Sequence, residues 1–211
     1  MRDPGAMDQA VKAVLAEYDA RAEREDQLSE SLPDEERVRR RDEMLLPVGR
    51  AAAMLMNLLI KEAGAKRILE VGSSYGYSTT WLAEAAREVG GKVISLELQE
   101  AKTRYAHTQL KRAGLEAHVE FRVGDARASL GELPGPFDFA LVDLWKDLYV
   151  PVFELLHPKL APGGIVVADN MLYPEKFRPD ARLYQERVRA AAGMSSVLLA
   201  VGNGLEVSRY R

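Results

Sequence analysis

The chain has 211 residues, 47% of them hydrophobic, with 29 basic and 32 acidic side chains giving a net charge of −3. That size and apolar content suit one domain with a substantial core, and the acidic balance gives no global pull towards nucleic acid or an anionic membrane. Cysteine is absent, which excludes disulfides and thiolate metal sites. No apolar run approaches the roughly 20 residues of a membrane span, and no signal-peptide core precedes Met7, so the expected compartment is the cytoplasm. With a second methionine at Met7, residues 1–6 are expected to be an expression scar. A helical extension over 7–44 and one main domain over 45–211 are expected to follow.

In chain order, Asp8 to about Arg24 is helical, with Val11, Val14, Leu15 and Tyr18 on one face. Charge then dominates through Asp42, interrupted by Pro33; Ser31 and Asp34 have capping-box spacing, so Ser31 is expected to cap a second helix. A solvated helical extension is the plain expectation for this region, and a cover over an active site or a second subunit is the alternative. Leu45-Leu-Pro-Val48 breaks the pattern, and Gly49–Glu62 resumes it.

A regular alternation follows. Strands are expected at 67–71, 92–96, 118–123, 137–142 and 165–168, with helices near 78–89, 100–113, 126–133 and 150–156 between them. Alternating strands and helices build a parallel sheet with right-handed crossovers. After a helix near 181–192, strands at 195–201 and 205–210 are joined by Gly202-Asn-Gly204, a connection short enough to demand an antiparallel hairpin. The expected fold is α/β, Rossmann-like, with a mostly parallel seven-stranded sheet, helices on both faces and a C-terminal antiparallel hairpin.

Ligands of such sheets bind beyond the carboxyl ends of the strands, where the strand order reverses. The first strand delivers Glu70 and the turn Gly72-Ser-Ser-Tyr-Gly76, whose glycine spacing is not that of a pyrophosphate binder. A carboxylate before the turn suits a ligand with a cationic or hydroxyl-rich end, which points to S-adenosylmethionine (SAM) rather than NAD. Glu97 ends the second strand about 20 residues beyond the turn, where an acid often holds ribose hydroxyls. Asp125 follows the third strand, as an adenine contact or a helix cap. Asp143 ends the fourth, and Asp169-Asn170 the fifth. Asp143, Asp169 and Asn170 are three oxygen donors of the kind that hold a hard divalent cation. Lys146 lies three residues past Asp143, as a general base or a partner of Asp147. The histidines His107, His118 and His157 match no metal spacing.

From about Leu45 onward the chain resembles the divalent-metal-dependent O-methyltransferases, the catechol and caffeoyl-CoA group. The resemblance rests on Leu69-Glu-Val-Gly with Gly76-Tyr-Ser78, Val142-Asp-Leu-Trp-Lys-Asp-Leu-Tyr149, Ala168-Asp-Asn170 and Gly204-Leu-Glu206. It implies the class I SAM-methyltransferase fold and methyl transfer to a vicinal diphenol. Asp143, Asp169 and Asn170 would bind Mg²⁺, or Mn²⁺ or Ca²⁺ in its place, and Lys146 would be the base. Glu206 would sit beside the second substrate hydroxyl, with Trp145 and Pro174 as apolar walls. SAM would be held by Val48, Glu70, Gly72, Gly76, Tyr77, Ser78, Glu97, Asp125 and Asp143. Leu144 departs from the histidine or alanine of relatives. The implied partner is a small aromatic hydroxylated substrate, not a nucleic acid or membrane. A homodimer is the default assembly, and the N-terminal helices are its candidate interface. Competing readings are a nucleic-acid methyltransferase, an NAD-dependent oxidoreductase and a non-catalytic SAM-binding module.

Overall fold

A computed structural model describes residues 7–211; the expression scar expected at residues 1–6 lies outside the described residues. The chain opens with α1 (Gln9–Ser31) and α2 (Asp34–Arg40), makes a short turn at Arg41–Glu43, and enters α3 (Arg50–Ala63). Then come β1 (Arg67–Val71), α4 (Tyr77–Val89), β2 (Lys92–Glu97), α5 (Glu100–Arg112), β3 (Val119–Val123) and α6 (Ala126–Glu132). The chain continues through β4 (Phe137–Val142), α7 (Tyr149–Leu156), β5 (Leu160–Ala168), α8 (Arg178–Ala190), β6 (Met194–Leu199) and β7 (Leu205–Tyr210).

The seven strands lie in the order β3-β2-β1-β4-β5-β7-β6, so the order reverses between β1 and β4. β1 to β5 pair in parallel, and β7 runs antiparallel to both β5 and β6. Strand residues alternate between two cores. Ile68, Phe139, Leu141 and Val167 face α1, α3, α4 and α5, whereas Leu69, Ala140, Val142 and Val166 face α6, α7 and α8. Apolar burial on both faces is what a central parallel sheet requires, and it explains why β1 and β4 read as nearly continuous aliphatic runs.

Two boundaries depart from the sequence pattern for physical reasons. β5 begins at Leu160 rather than Ile165, and the pairing register with β4 shifts between Phe137 and Phe139 to absorb Pro162-Gly-Gly164. α8 begins at Arg178 rather than Ala181, because Pro179 occupies its first turn, where a missing N–H is harmless.

The N-terminal region corrects two expectations. α1 runs on to Ser31, supported by an Arg21–Glu25 pair at 2.6 Å. Ser31 donates its hydroxyl back to the Leu28 carbonyl at 2.7 Å and does not cap α2; the Pro33 carbonyl accepts from Arg37 N instead. Nor is α1 a solvated arm. Val11, Val14, Leu15 and Tyr18 are buried against α4 and α5, and Glu17 pairs with Arg112 while Asp8 pairs with Arg87. The Tyr18 hydroxyl donates to the Tyr75 carbonyl, in the glycine turn, at 2.5 Å. Arg21 lies 4.0 Å over the Tyr75 ring and 5.1 Å from that of Tyr105.

Two substitutions check these contacts by urea denaturation. Tyr18→Phe should cost about 1 kcal/mol, the usual net value of one such hydrogen bond; a silent change would return α1 to the status of a solvated arm. Gly72→Ala should cost at least about 2 kcal/mol, because φ is +92° and an added Cβ would stand 2.0 Å from the Asp143 carbonyl oxygen.

Candidate active site

The donor side is built around the turn from β1 into α4. Gly72 and Gly76 both have positive φ, which lets the chain pass close to β4 at one and to α5 at the other. A Cβ on Gly76 would stand 2.6 Å from that of Ala106. Glu97, at the end of β2, clasps the turn by accepting from Ser74 N at 2.8 Å and from Gln99 N at 2.9 Å. Ser74 in turn donates to the Leu45 carbonyl, tying the turn to the segment that precedes α3. Val48, in that segment, is buried, and its carbonyl faces Gly202 of the hairpin turn.

Glu70 is not where a ligand's cationic end could meet it. It has no exposed surface, and its oxygens accept from the hydroxyls of Ser78, Thr79 and Ser95, each at 2.7 Å. Burial pushes its carboxyl up to about 7 in spite of those donors. It braces the start of α4 from inside. This also takes up the Ser78 side chain, and the Tyr77 hydroxyl donates to Asp19 of α1 at 3.0 Å. What Tyr77 and Ser78 retain for a ligand is main chain at a helix N-terminus. Asp125 caps α6, accepting from Arg127 N and Ala128 N, and pairs with the Arg127 guanidinium; the cap alternative describes its contacts.

The other half lies beyond β4 and β5. Asp143 N donates to the Val71 carbonyl at 2.9 Å, and Asp169 N to the Val142 carbonyl at 3.2 Å, so both carboxylates are set by the sheet itself. Lys146 is buried and turned inward. Its ammonium donates to the Tyr149 hydroxyl and, at 3.1 Å, to Asn170 Oδ1, rather than pairing with Asp147. Tyr149 donates onward to the Asp169 carbonyl at 3.1 Å. Asn170 takes a left-handed φ of 56°, a conformation asparagine tolerates better than most residues, and so returns its side chain to the cluster. Burial lowers the Lys146 pKa and raises those of Asp143 and Asp169; the Asp143 charge raises Asp169 further, while both carboxylates partly offset the lowering at Lys146.

The donor set fits a hard cation. Both carboxylate oxygens of Asp169 are buried without a hydrogen-bond partner, an expensive arrangement for a carboxylate unless something else satisfies it. Among the described residues no group of three His, Cys, Asp or Glu side chains converges as a metal site. The cluster here is two carboxylates and an amide oxygen.

Glu206 is corrected. It sits in β7 opposite Ala168, has no exposed surface, and its carboxylate is occupied by Arg189, Gln185 and Ser196. A guanidinium with two further donors leaves this group as the tie between the hairpin and α8. Of the suggested walls, Trp145 is 48% exposed, and Pro174 is exposed in the loop following β5. Tyr149 and Tyr184 are buried beneath the cluster with rings 5.5 Å apart, while Tyr173 is exposed. One residue was missed from sequence. Arg41 lies 5.0 Å over the Trp145 ring and 5.4 Å from that of Phe177, and its charge acts on both Asp143 and Lys146. Within the run Arg39-Arg-Arg41 nothing marks which arginine turns inward.

Comparison with known proteins bears on the family and the fold. The O-methyltransferase family profile matches residues 20–208, reaching further towards the N-terminus than the resemblance from Leu45 and taking in much of α1. A catechol O-methyltransferase of Niastella koreensis is 36% identical over 121 residues, 56% of this chain and about half, 54%, of that protein's length. Tricin synthase 1 of Oryza sativa subsp. japonica is 31% identical over 181 residues, 74% of this chain and 71% of that one. The O-methyltransferase from Bacillus cereus, solved in complex with SAH, superposes with a TM-score of 0.76 at 27% identity, over 98% of this chain and 93% of that one. These matches displace the NAD-dependent oxidoreductase reading, and the chain belongs to the O-methyltransferase family.

Proposed function

We propose that the protein transfers the methyl group of SAM to one hydroxyl of a vicinal diphenol, with Lys146 as general base. The observation that carries this reading is the Asp169 carboxylate, buried with both oxygens unpartnered, beside an inward-facing lysine that is held at Asn170. Asp143, Asp169 and the free lone pair of Asn170 Oδ1 would hold Mg²⁺, Mn²⁺ or Ca²⁺. When bound, such an ion lowers the pKa of a neighbouring phenolic hydroxyl and offsets the charge that develops there.

The residues of the chain supply the rest. Tyr149 and Asn170 fix the Lys146 Nζ, so the lysine meets an acceptor hydroxyl in one orientation. Burial lowers its pKa to about 8, so the neutral amine that can accept the hydroxyl proton is far more accessible than in a free lysine. The acceptor oxygen then bonds to the methyl carbon as the carbon–sulfur bond of SAM breaks, with Lys146 keeping the proton. The Glu97 clasp on the turn at 72–76 would set the donor's position relative to Asp143, and positioning of this kind is a large part of methyl-transfer catalysis. Trp145 and Pro174 would flank the aromatic ring. A small phenol, not a nucleic acid, is the acceptor this arrangement suits.

Two measurements test the roles. Lys146→Ala should lower kcat by roughly 10²- to 10⁴-fold at saturating substrates, the usual share of general base catalysis; unchanged turnover removes the lysine from the chemistry. Mg²⁺ or Mn²⁺ should raise the Tm of the protein, because an ion that binds only the folded state stabilises it. Asp169→Ala should lose that shift. A shift of equal size in Asp169→Ala would place the ion elsewhere.

A further inference from the structure

We infer that Arg41 binds a carboxylate substituent of the acceptor, so that the preferred substrate is an acidic vicinal diphenol rather than a neutral one. This rests on the proposed acceptor site and names its substrate class. The Arg41 guanidinium makes no hydrogen bond or ion pair with any described residue, yet its charge acts on Asp143 and Lys146. It is near enough to the cluster to be felt there, and too far to pair with it. Glu43, two residues further on, is paired with Arg40 instead.

Two rings hold the guanidinium in place, Trp145 and Phe177. Aromatic faces satisfy the flat sides of a guanidinium and leave its in-plane N–H donors unused. Those donors form a fork that matches a carboxylate in bidentate geometry. A second cation, Lys176, lies 5.0 Å from the same Phe177 ring. Trp145, the proposed wall for the aromatic ring, is the same side chain that orients Arg41. A ring stacked there would project a substituent towards the guanidinium.

The test compares 3,4-dihydroxybenzoate with 3,4-dihydroxybenzamide, which differ in charge but little in shape, in wild type, Arg41→Met and Arg41→Lys with Mg²⁺ present. Wild type should favour the acid. Arg41→Met should lower the acid-to-amide ratio of kcat/KM by about 10- to 100-fold, mainly through the KM of the acid, as expected for a lost charge-assisted bidentate contact. Arg41→Lys should restore part of the ratio. No preference in wild type, or the same ratio in wild type and Arg41→Met, overturns the inference. Binding of both ligands, followed by isothermal titration, separates the two levels of the account. If neither diphenol is methylated but the acid binds wild type and not Arg41→Met, the proposed reaction falls and the role of Arg41 stands.

Discussion

The site depends on how closely the backbone passes between β1 and β4. At Gly72 there is no room for even one carbon beyond Cα, because the Asp143 carbonyl oxygen already occupies the place of a Cβ. This happens where the strand order reverses, the one place in such a sheet where two strand ends diverge and open a crevice. Neighbouring strand ends are locked to one another by main-chain bonds: Gly124 N to the Glu97 carbonyl, Gly72 N to Leu96, Asp143 N to Val71 and Asp169 N to Val142. The donor turn and the carboxylate cluster are therefore parts of one rigid edge. Methyl transfer needs that, since reacting atoms must be held at near-contact distance in line.

The same edge concentrates buried charge. Glu70, Asp143, Asp169 and Lys146 all have pKa values shifted by burial in the direction that opposes ionisation. They are treated differently by their surroundings. Glu70 is met by three hydroxyls and Glu206 by a guanidinium, an amide and a hydroxyl; these are structural ties. The Asp169 oxygens are buried with no hydrogen-bond partner, although the Lys146 charge acts on them. Two buried carboxylates are fully satisfied and a third is left unpartnered beside a lysine, an arrangement that costs stability unless a ligand satisfies it. α1 contributes from outside the sheet. Through Tyr18 and Arg21 it presses on Tyr75 of the donor turn, and through Glu25, which accepts from Leu45 N at 2.6 Å, it fixes the segment leading from Arg41 to Val48.

Much of this was legible in the sequence because it depends on spacing. The alternation of aliphatic runs with helical periods sets the sheet, the short Gly202-Asn-Gly204 link forces the antiparallel β7, and the strand C-ends place Glu97, Asp143, Asp169 and Asn170 along one edge of it. Side-chain direction was less legible. Glu70 and Glu206 look like ligand groups by position, and only the three-dimensional partners Ser95, Arg189 and Gln185, distant in sequence, show that their oxygens are already in use. Charge runs hid the rest. The stretch from Glu23 to Asp42 reads as solvated surface, yet Glu25 is a clasp and Arg41 lies over Trp145, because a long side chain can turn its head inward while its sequence neighbours remain in water.

The central claim is that this crevice carries out ion-assisted methyl transfer to a vicinal diphenol. The most direct measurement is transfer of labelled methyl from SAM to a small set of vicinal diphenols and their mono-hydroxy counterparts, with Mg²⁺ and with a chelator. The account predicts methylation of the vicinal diphenols that the chelator abolishes and added Mg²⁺ restores, with the mono-hydroxy compounds inert. Methylation that persists at full rate in chelator, or that treats both sets of acceptors alike, would contradict it.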